Sequence, residues 1–250
     1  MRIDQYLTTR YGFTRNKAQQ LIKNGLISID GIIRTKTAFE VSDKDTLEIK
    51  QDKSIVWVSR SAGKLDGFFE ALDSTSRDYH IQDARCLDIG SSTGGFTQVL
   101  LEYWAYHVDA VDIGSDQLHA SIRNNKKVSS HEKTDIRKFP APEEPYDIIT
   151  VDVSFISIEE ILPELQRFSD ENTEIFLLFK PQFEVGRTNL RKTGVPKSEW
   201  VVEKALVSFL VLLWELDYSV LFGEKASVVG EAGNQEYMFF IKKWENTLDI

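Results

Sequence analysis

A chain of 250 residues has room for one sizeable domain and a small one, and enough length to bury a core. Its apolar fraction of 42% and charged fraction of 28% mark a globular chain rather than a fibrous or disordered one. The single cysteine excludes a disulfide framework and, with four scattered histidines, offers no metal-ligand cluster.

The start, Met1-Arg2-Ile3-Asp4, lacks an apolar signal-peptide core. A membrane-spanning helix needs ~20 apolar residues, and the run from Ala205 to Trp214 is interrupted by Ser208 and closed by Glu215. The expectation is a cytoplasmic protein with no metal and no membrane partner. The net charge of −9 conceals an uneven distribution, since residues 1 to 39 carry seven Lys or Arg against Asp4 and Asp30, a local balance of +5. A basic module joined to a differently charged body is the reading.

Ile3, Tyr6 and Leu7 predict a first short helix closed near Gly12. Thr14 is placed to cap a second, on which Ala18, Leu21 and Ile22 share one face. Gly25 should end it in the left-handed conformation. Leu26 to Ile29 reads as a strand, with Asp30-Gly31 as a two-residue hairpin turn before Ile32 and Ile33. Arg2, Arg10, Arg15, Lys17, Lys23, Arg34 and Lys36 are the basic residues of this module, with few acids interspersed. The run Arg2 to Leu7, the run Thr14 to Gly25 and the strand with Asp30-Gly31 resemble the S4-type RNA-binding domain. The resemblance implies structured RNA held mainly through phosphates and shape. Residues 51–58 read as a linker.

From Ser59 the pattern changes to alternating strands and helices. Ser59 to Leu65 leads into a helix through Phe68, Phe69 and Leu72. Arg85 to Ile89 is a short buried-strand run, Gly90-Ser91-Ser92-Thr93-Gly94-Gly95 a tight turn, and Phe96 to Trp104 a helix with Val99, Leu100 and Tyr103 on one face. In such a βα unit glycines allow close approach to a ligand. The spacing Gly-x-x-x-Gly-Gly differs from the dinucleotide pattern. His107 to Asp112 is a second strand, with Asp112 placed to accept from a ribose hydroxyl. A weak third strand ends at Lys133-Thr134-Asp135, and Asp135 could accept from an adenine amino group. Tyr146 to Asp152 and Glu174 to Phe179 are the fourth and fifth strands, followed by an apolar helix over 198–217 and two strands, Tyr218 to Phe222 and Glu236 to Trp244. The order implies a mostly parallel sheet with an antiparallel edge.

Lys64 precedes the sheet, Asp152 and Lys180 end neighbouring strands, and Glu236 begins the last, reversed strand. All four can therefore face the crevice in which α/β sheets bind ligands. The loop from Pro181 to Lys197 adds Arg187, Arg191, Lys192 and Lys197, expected to close over RNA.

The stretches Asp88 to Thr97, Val151 to Phe155 and Leu178 to Gly186 resemble the TlyA family. The similarity runs nearly end to end. It implies an S4-like domain (1–50), the linker, and an FtsJ-like domain (59–250) of Rossmann-like, S-adenosylmethionine-dependent methyltransferase fold with a seven-stranded sheet. The family's Lys-Asp-Lys-Glu tetrad falls on Lys64, Asp152, Lys180 and Glu236. Ser61-Ala62-Gly63 departs from the glycine-richer turn usual before that lysine. The implied activity is 2′-O-methylation of a cytidine in ribosomal RNA, free or in a ribosomal subunit, linked to capreomycin-type sensitivity. The implied S-adenosylmethionine site comprises Asp88, Gly90, Ser91, Ser92, Gly94, Gly95, Phe96, Asp112, Ile113 and Asp135. Members have also been described as haemolysins, and a non-catalytic RNA-binding protein would share the fold. No oligomeric state follows from these residues.

The residues support oxygen methylation on their own account. A ribose hydroxyl needs a base within hydrogen-bond reach, and a lysine serves when burial or a neighbouring ammonium favours its neutral form. Lys180 is the candidate base, Lys64 the second cation, and Asp152 and Glu236 the orienting carboxylates. Cys86 lies inside a strand, where a packed thiol is expected rather than a nucleophile. The Asp152-Val153-Ser154-Phe155 run is unlike the Pro-Pro-aromatic turn of amine methyltransferases.

Overall fold

The apolar residues of the first fifty positions close on one another. Ile3 and Leu7, one turn apart on α1 (Ile3–Tyr11), pack with Ala18, Leu21 and Ile22 of α2 (Arg15–Lys23). Gly25, at φ 71°, ends α2, and the Leu26 amide donates back to the Leu21 carbonyl. The strands β1 (Ile27–Ile29), β2 (Ile32–Ile33) and β3 (Leu47–Ile49) form an antiparallel sheet in the order β2-β1-β3. Asp30 and Gly31 both have positive φ, 50° and 76°, as a two-residue hairpin turn requires.

This is a computed structural model. It describes the chain except residues 12, 14, 24, 43, 51–56 and 245–250, and leaves the side chains of Arg15, Asn16, Lys17, Gln20 and Glu231 undescribed. The expected Thr14 cap and the helix end at Gly12 lie outside the described residues. The chain divides into two units, Met1–Val56 and Trp57–Ile250. Trp57 is buried among Leu65, Phe69 and Phe96 of the second unit's core, and the Val58 amide donates to Gln98 Oε1. Residues 57–58 therefore belong to the second unit, not to the linker expected over 51–58.

The second unit is built on a seven-stranded sheet. After α3 (Ala62–Asp73) come β4 (Arg85–Ile89), α4 (Gly95–Glu102), β5 (His107–Val111), the short α5 (Ala120–Arg123), β6 (Val128–His131) and β7 (Ile148–Val151). Then follow α6 (Leu162–Leu165), β8 (Glu174–Phe179), α7 (Pro181–Glu184), α8 (Glu199–Glu215), β9 (Tyr218–Lys225) and β10 (Tyr237–Lys243). The spatial order is β6-β5-β4-β7-β8-β10-β9. Strands β4 to β8 pair in parallel, and β10 runs antiparallel to both β8 and β9. The reversed strand thus lies one place in from the edge.

Every residue of β8 is buried, because both faces of the sheet are covered. Ile175, Leu177 and Phe179 point into a core shared with Phe209 and Leu213 of α8. Phe176 and Leu178 point to the opposite core, against Phe68, Phe69 and Leu72 of α3 and Val99 and Leu100 of α4. The period of two along the strand thus decides which layer each side chain joins.

The third strand differs from expectation. β6 ends at His131, and Asp135 instead caps a 3-10 turn over Ile136–Lys138, its side chain accepting from the Arg137 amide. Val-Ser-Ser-His holds one strongly apolar residue, so an edge strand here leaves almost no pattern. α8 is nearly as long as expected, yet only Phe209 and Leu213 are buried.

Candidate active site

The turn after β4 is held by its own chemistry. Gly90, Ser92 and Gly94 have φ of 82°, 46° and 93°, a left-handed series that glycine adopts freely and serine only when constrained. The constraint on Ser92 is Asp112, just past β5, whose Oδ2 accepts from the Ser92 amide at 2.8 Å and whose Oδ1 accepts from the Gly114 amide at 2.6 Å. A side chain at Gly90 would place its Cβ 2.5 Å from the Asp152 carbonyl oxygen, and one at Gly94 would meet Leu118 at 2.9 Å. At Gly95 it would overlap the hydroxyls of Ser59 and Ser61. These three glycines thus allow the turn to approach the loops around it.

Asp88 lies beneath this turn, fully buried, and accepts from Thr97 Oγ1 at 2.5 Å and Thr150 Oγ1 at 2.8 Å. Burial raises its carboxyl to about 6, although both hydroxyls oppose the shift. Phe96 is core, 2% exposed, and Ser91 is also buried. The side chains of Asp88 and Phe96 therefore brace the turn from below instead of lining an open pocket. Ser92 is exposed, and Ile113, 73% exposed, presents an apolar face next to Asp112. Asp135 is forked by Arg137 at 2.8–3.1 Å, and these hydrogen bonds hold its carboxyl below the usual range against partial burial.

The four charged residues meet at the same edge of the sheet as two ion pairs. Lys64, in the first turn of α3, places Nζ 2.5 Å from Glu236 Oε2. Lys180, immediately after β8, places Nζ 2.6 Å from Asp152 Oδ1, off the line of a hydrogen bond, and donates to Ser154 Oγ at 2.7 Å. Both lysine side chains are 9% exposed. The reversed direction of β10 is what brings Glu236 here: Tyr237 pairs with Phe179, so Glu236 falls opposite Lys180 at the strand ends. Ser61, despite the departure from a glycine-rich turn, has helical backbone and lets α3 begin at Ala62.

Several residues of this neighbourhood had no assigned role in the sequence. Ser154 receives the Lys180 hydrogen bond. Gln182 Nε2 donates to Glu236 Oε1 at 2.8 Å. Glu184 accepts from Ser157 Oγ at 2.6 Å and the Ile158 amide at 3.0 Å; burial raises its carboxyl against both bonds. Phe155, 92% exposed at φ 64°, lies over Phe183 at 5.3 Å between centroids, and Lys180 Nζ is 5.8 Å from the Phe183 ring. A fully exposed aromatic in a left-handed conformation is a signal visible only in three dimensions.

The loop after α7 folds on itself through local contacts. Gly186 and Gly194 have φ of 75° and 80°, a 3-10 turn spans Arg187–Asn189, Leu190 bridges Pro196, and Lys197 Nζ donates to the Thr188 carbonyl. Arg187, Arg191 and Lys192 stay exposed. In the first unit Lys23, Lys36 and Arg10 are exposed, whereas Arg2 forks Asp4 at 3.0–3.1 Å and Arg34 lies 4.2 Å over the Phe39 ring. Arg15 and Lys17 are on α2, with side chains outside the described residues. Cys86 is buried, and burial pushes its thiol far above the ordinary value, as a packed thiol requires. Among the described residues no group of three or more His, Cys, Asp or Glu could hold a metal, and no helix is long and apolar enough to cross a membrane.

A glycine turn opening a helix at the carboxyl edge of a mostly parallel sheet, with a carboxylate ending the next strand, defines the nucleotide-cofactor class of α/β domains. The reversed seventh strand and the buried Lys and carboxylate pairs at that edge narrow the class. Residues 57–243 match the FtsJ-like methyltransferase profile and residues 1–47 the S4 domain, and the chain belongs to the FtsJ-like methyltransferase family. It is 38% identical, over 97% of its own length and all of the relative, to the 23S rRNA (cytidine-2′-O)-methyltransferase TlyA of Campylobacter jejuni. It is 37% identical, over 96% of its own length and 89% of the relative, to the 16S/23S rRNA (cytidine-2′-O)-methyltransferase TlyA of Mycobacterium tuberculosis. A solved candidate hemolysin from Streptococcus thermophilus matches with a TM-score of 0.73 at 29% identity, over 98% of this chain and 89% of that one.

Proposed function

We propose that this chain transfers a methyl group from S-adenosylmethionine to the ribose 2′-hydroxyl of a cytidine in ribosomal RNA. The observation that carries the reading is the pairing of Lys180 with Asp152 and of Lys64 with Glu236 beside the glycine turn. The residues around that turn fit the cofactor. Asp112 has lone pairs beyond the two amides it accepts, for ribose hydroxyls. Ile113 offers an apolar face to a flat base, and Asp135 an acceptor for an amino group. The cofactor would supply an electrophilic methyl on a sulfonium, so the protein's main tasks are positioning and proton removal.

Lys180 is the general base, as the neutral amine taking the 2′-hydroxyl proton. Asp152 and Ser154 fix where its Nζ lies. Lys64 adds positive charge beside the oxygen on which negative charge develops, and Glu236 holds Lys64 in place. Phe155 presents a ring on which an unstacked base can rest. The S4-like domain supplies phosphate contacts. The reading is tested by incubating purified protein with labelled S-adenosylmethionine and ribosomal subunits, then mapping ribose methylation. Cytidine 2′-O-methylation that requires Lys180 is expected. Cofactor binding without transfer to any rRNA would favour a non-catalytic binder, and leakage from liposomes by the pure protein would favour the haemolysin reading.

A further inference from the structure

Glu236 has a choice of lysines. It falls opposite Lys180 across the β8–β10 pairing, since Phe179 and Tyr237 are register partners, and such neighbours have Cβ atoms close enough to interact. It nevertheless pairs with Lys64, which comes from α3, 172 residues away in sequence. The carboxylate is thus held toward α3 and not across the strand pair.

Two features hold it there. Gln182 Nε2 donates to Glu236 Oε1 at 2.8 Å, leaving Oε2 to Lys64. Gly230 leaves the space that the carboxylate fills: a Cβ there would overlap Oε1 and lie 2.7 Å from Cδ. The amide's orientation follows from charge. An ionised carboxylate only accepts hydrogen bonds, so the NH₂ end of Gln182 must face it. The carbonyl end, Oε1, is then left buried with no partner, an arrangement that costs stability. Gln182 sits two residues beyond Lys180, and Pro181 sets the start of that helical turn. The base and the residue directing its neighbour's carboxylate are thus carried on one short turn.

We propose that Gln182 is a positioning residue that partitions the four charges into two pairs and keeps a second carboxylate off Lys180. The proposal rests on the methyltransferase reading for its kinetic consequence, not for its geometry. The charged groups facing Lys180 are Asp152 from the end of β7, Glu236 from the start of β10 and, through Glu236, Lys64 from α3. Glu184, on the same turn as Gln182, is turned toward Ser157 and Ile158. Without the Gln182 amide, Glu236 reaches Lys180, which then carries two carboxylates and gives up its proton less readily.

The test is Gln182→Leu, with Gln182→Met as a second variant that keeps the length of the side chain. Both remove the donor together with the unpaired carbonyl, so the fold should survive, as thermal unfolding will report. Single-turnover methyl transfer is measured from pH 6 to 10. The rate at pH 7 should fall by about 10-fold while its rise with pH moves up by about one unit, the lower end of what an added carboxylate produces. The KM for S-adenosylmethionine should stay unchanged, and the wild-type plateau should return at high pH. A profile lowered evenly at every pH, or not altered at all, would overturn the proposal. A crystal structure of the variant gives a readout independent of activity. Glu236 within 4 Å of Lys180 Nζ supports the partition, and an intact Lys64–Glu236 pair refutes it, even if the wild-type protein methylates no rRNA.

Discussion

Asp88 gives the most quantitative prediction. Its carboxyl has no exposed surface and is raised from 3.8 to about 6. A shift of one unit corresponds to about 1.4 kcal/mol, so keeping this group ionised in the folded state costs about 3 kcal/mol above the folded pKa. Between about pH 4 and pH 6 the folded protein holds a proton on Asp88 that the unfolded chain has lost. Stability from this group is therefore greatest below pH 4 and falls as pH rises through 6. Asn resembles the protonated acid, with one acceptor and one donor for the Thr97 and Thr150 hydroxyls. Asp88→Asn should match the wild type in stability near pH 4 and exceed it by up to about 3 kcal/mol at pH 8. All five tryptophans lie at or beyond Trp57, so denaturant unfolding followed by tryptophan fluorescence reports the second unit alone. A stability difference that is the same at pH 4.5 and pH 8 would refute the argument, and so would a wild type that is more stable at pH 8 because of this group.

Three further outcomes follow from the site and the basic module. Lys180→Ala should lower single-turnover methyl transfer by ~10²–10⁴-fold with cofactor affinity nearly unchanged. Lys180→Arg should be almost as damaging, because guanidinium stays protonated, and near-wild-type transfer by the arginine variant would exclude Lys180 as the base. Gly90→Ala must adopt φ 82° and place its Cβ 2.5 Å from the Asp152 carbonyl; a loss of about 2–5 kcal/mol is expected from conformation and overlap together, measured by the same fluorescence assay. Replacing Arg15 and Lys17 together by Ala should lower the salt slope of RNA binding by ~1.5 while S-adenosylmethionine titrates as before, and an unchanged slope would remove those residues from the RNA contact.

What could be read from the chain depended on burial. β4 and β8 are legible to the residue because burial on both faces leaves mostly apolar strands, Ile175 to Phe179 without a break and Cys86, Leu87 and Ile89 around Asp88. The convergence of Asp152, Lys180 and Glu236 was also legible, since strand direction places their backbones at one edge, whereas Lys64 reaches it from the first turn of α3. Their pairing was not. Glu236 accepts from Gln182 and fills the space beside Gly230, and nothing in the local pattern at either position points to a carboxylate 54 or 6 residues away. β6 was misplaced because Ser129, Ser130 and His131 have side chains suited equally to a loop, and Asp135 was given a strand's end when it caps a 3-10 turn. The glycines were singled out for ligand approach, and at Gly90, Gly94 and Gly95 the space beside them is taken by the chain's own atoms. A sequence shows that a side chain is missing, not which neighbour fills the space.

That space has a consequence at Gly90. Its Cα side abuts the backbone of Asp152, so the turn assigned to the cofactor and the loop carrying the base's partner share a seam with no room between them. A side chain at Gly90 would therefore have to push the Asp152 backbone aside. For the proposed function, any coupling of cofactor and RNA across this seam is reciprocal, each changing the other's affinity by the same factor. In the proposed function cofactor and RNA meet on either side of that seam, where a single methyl group added at Gly90 has no room.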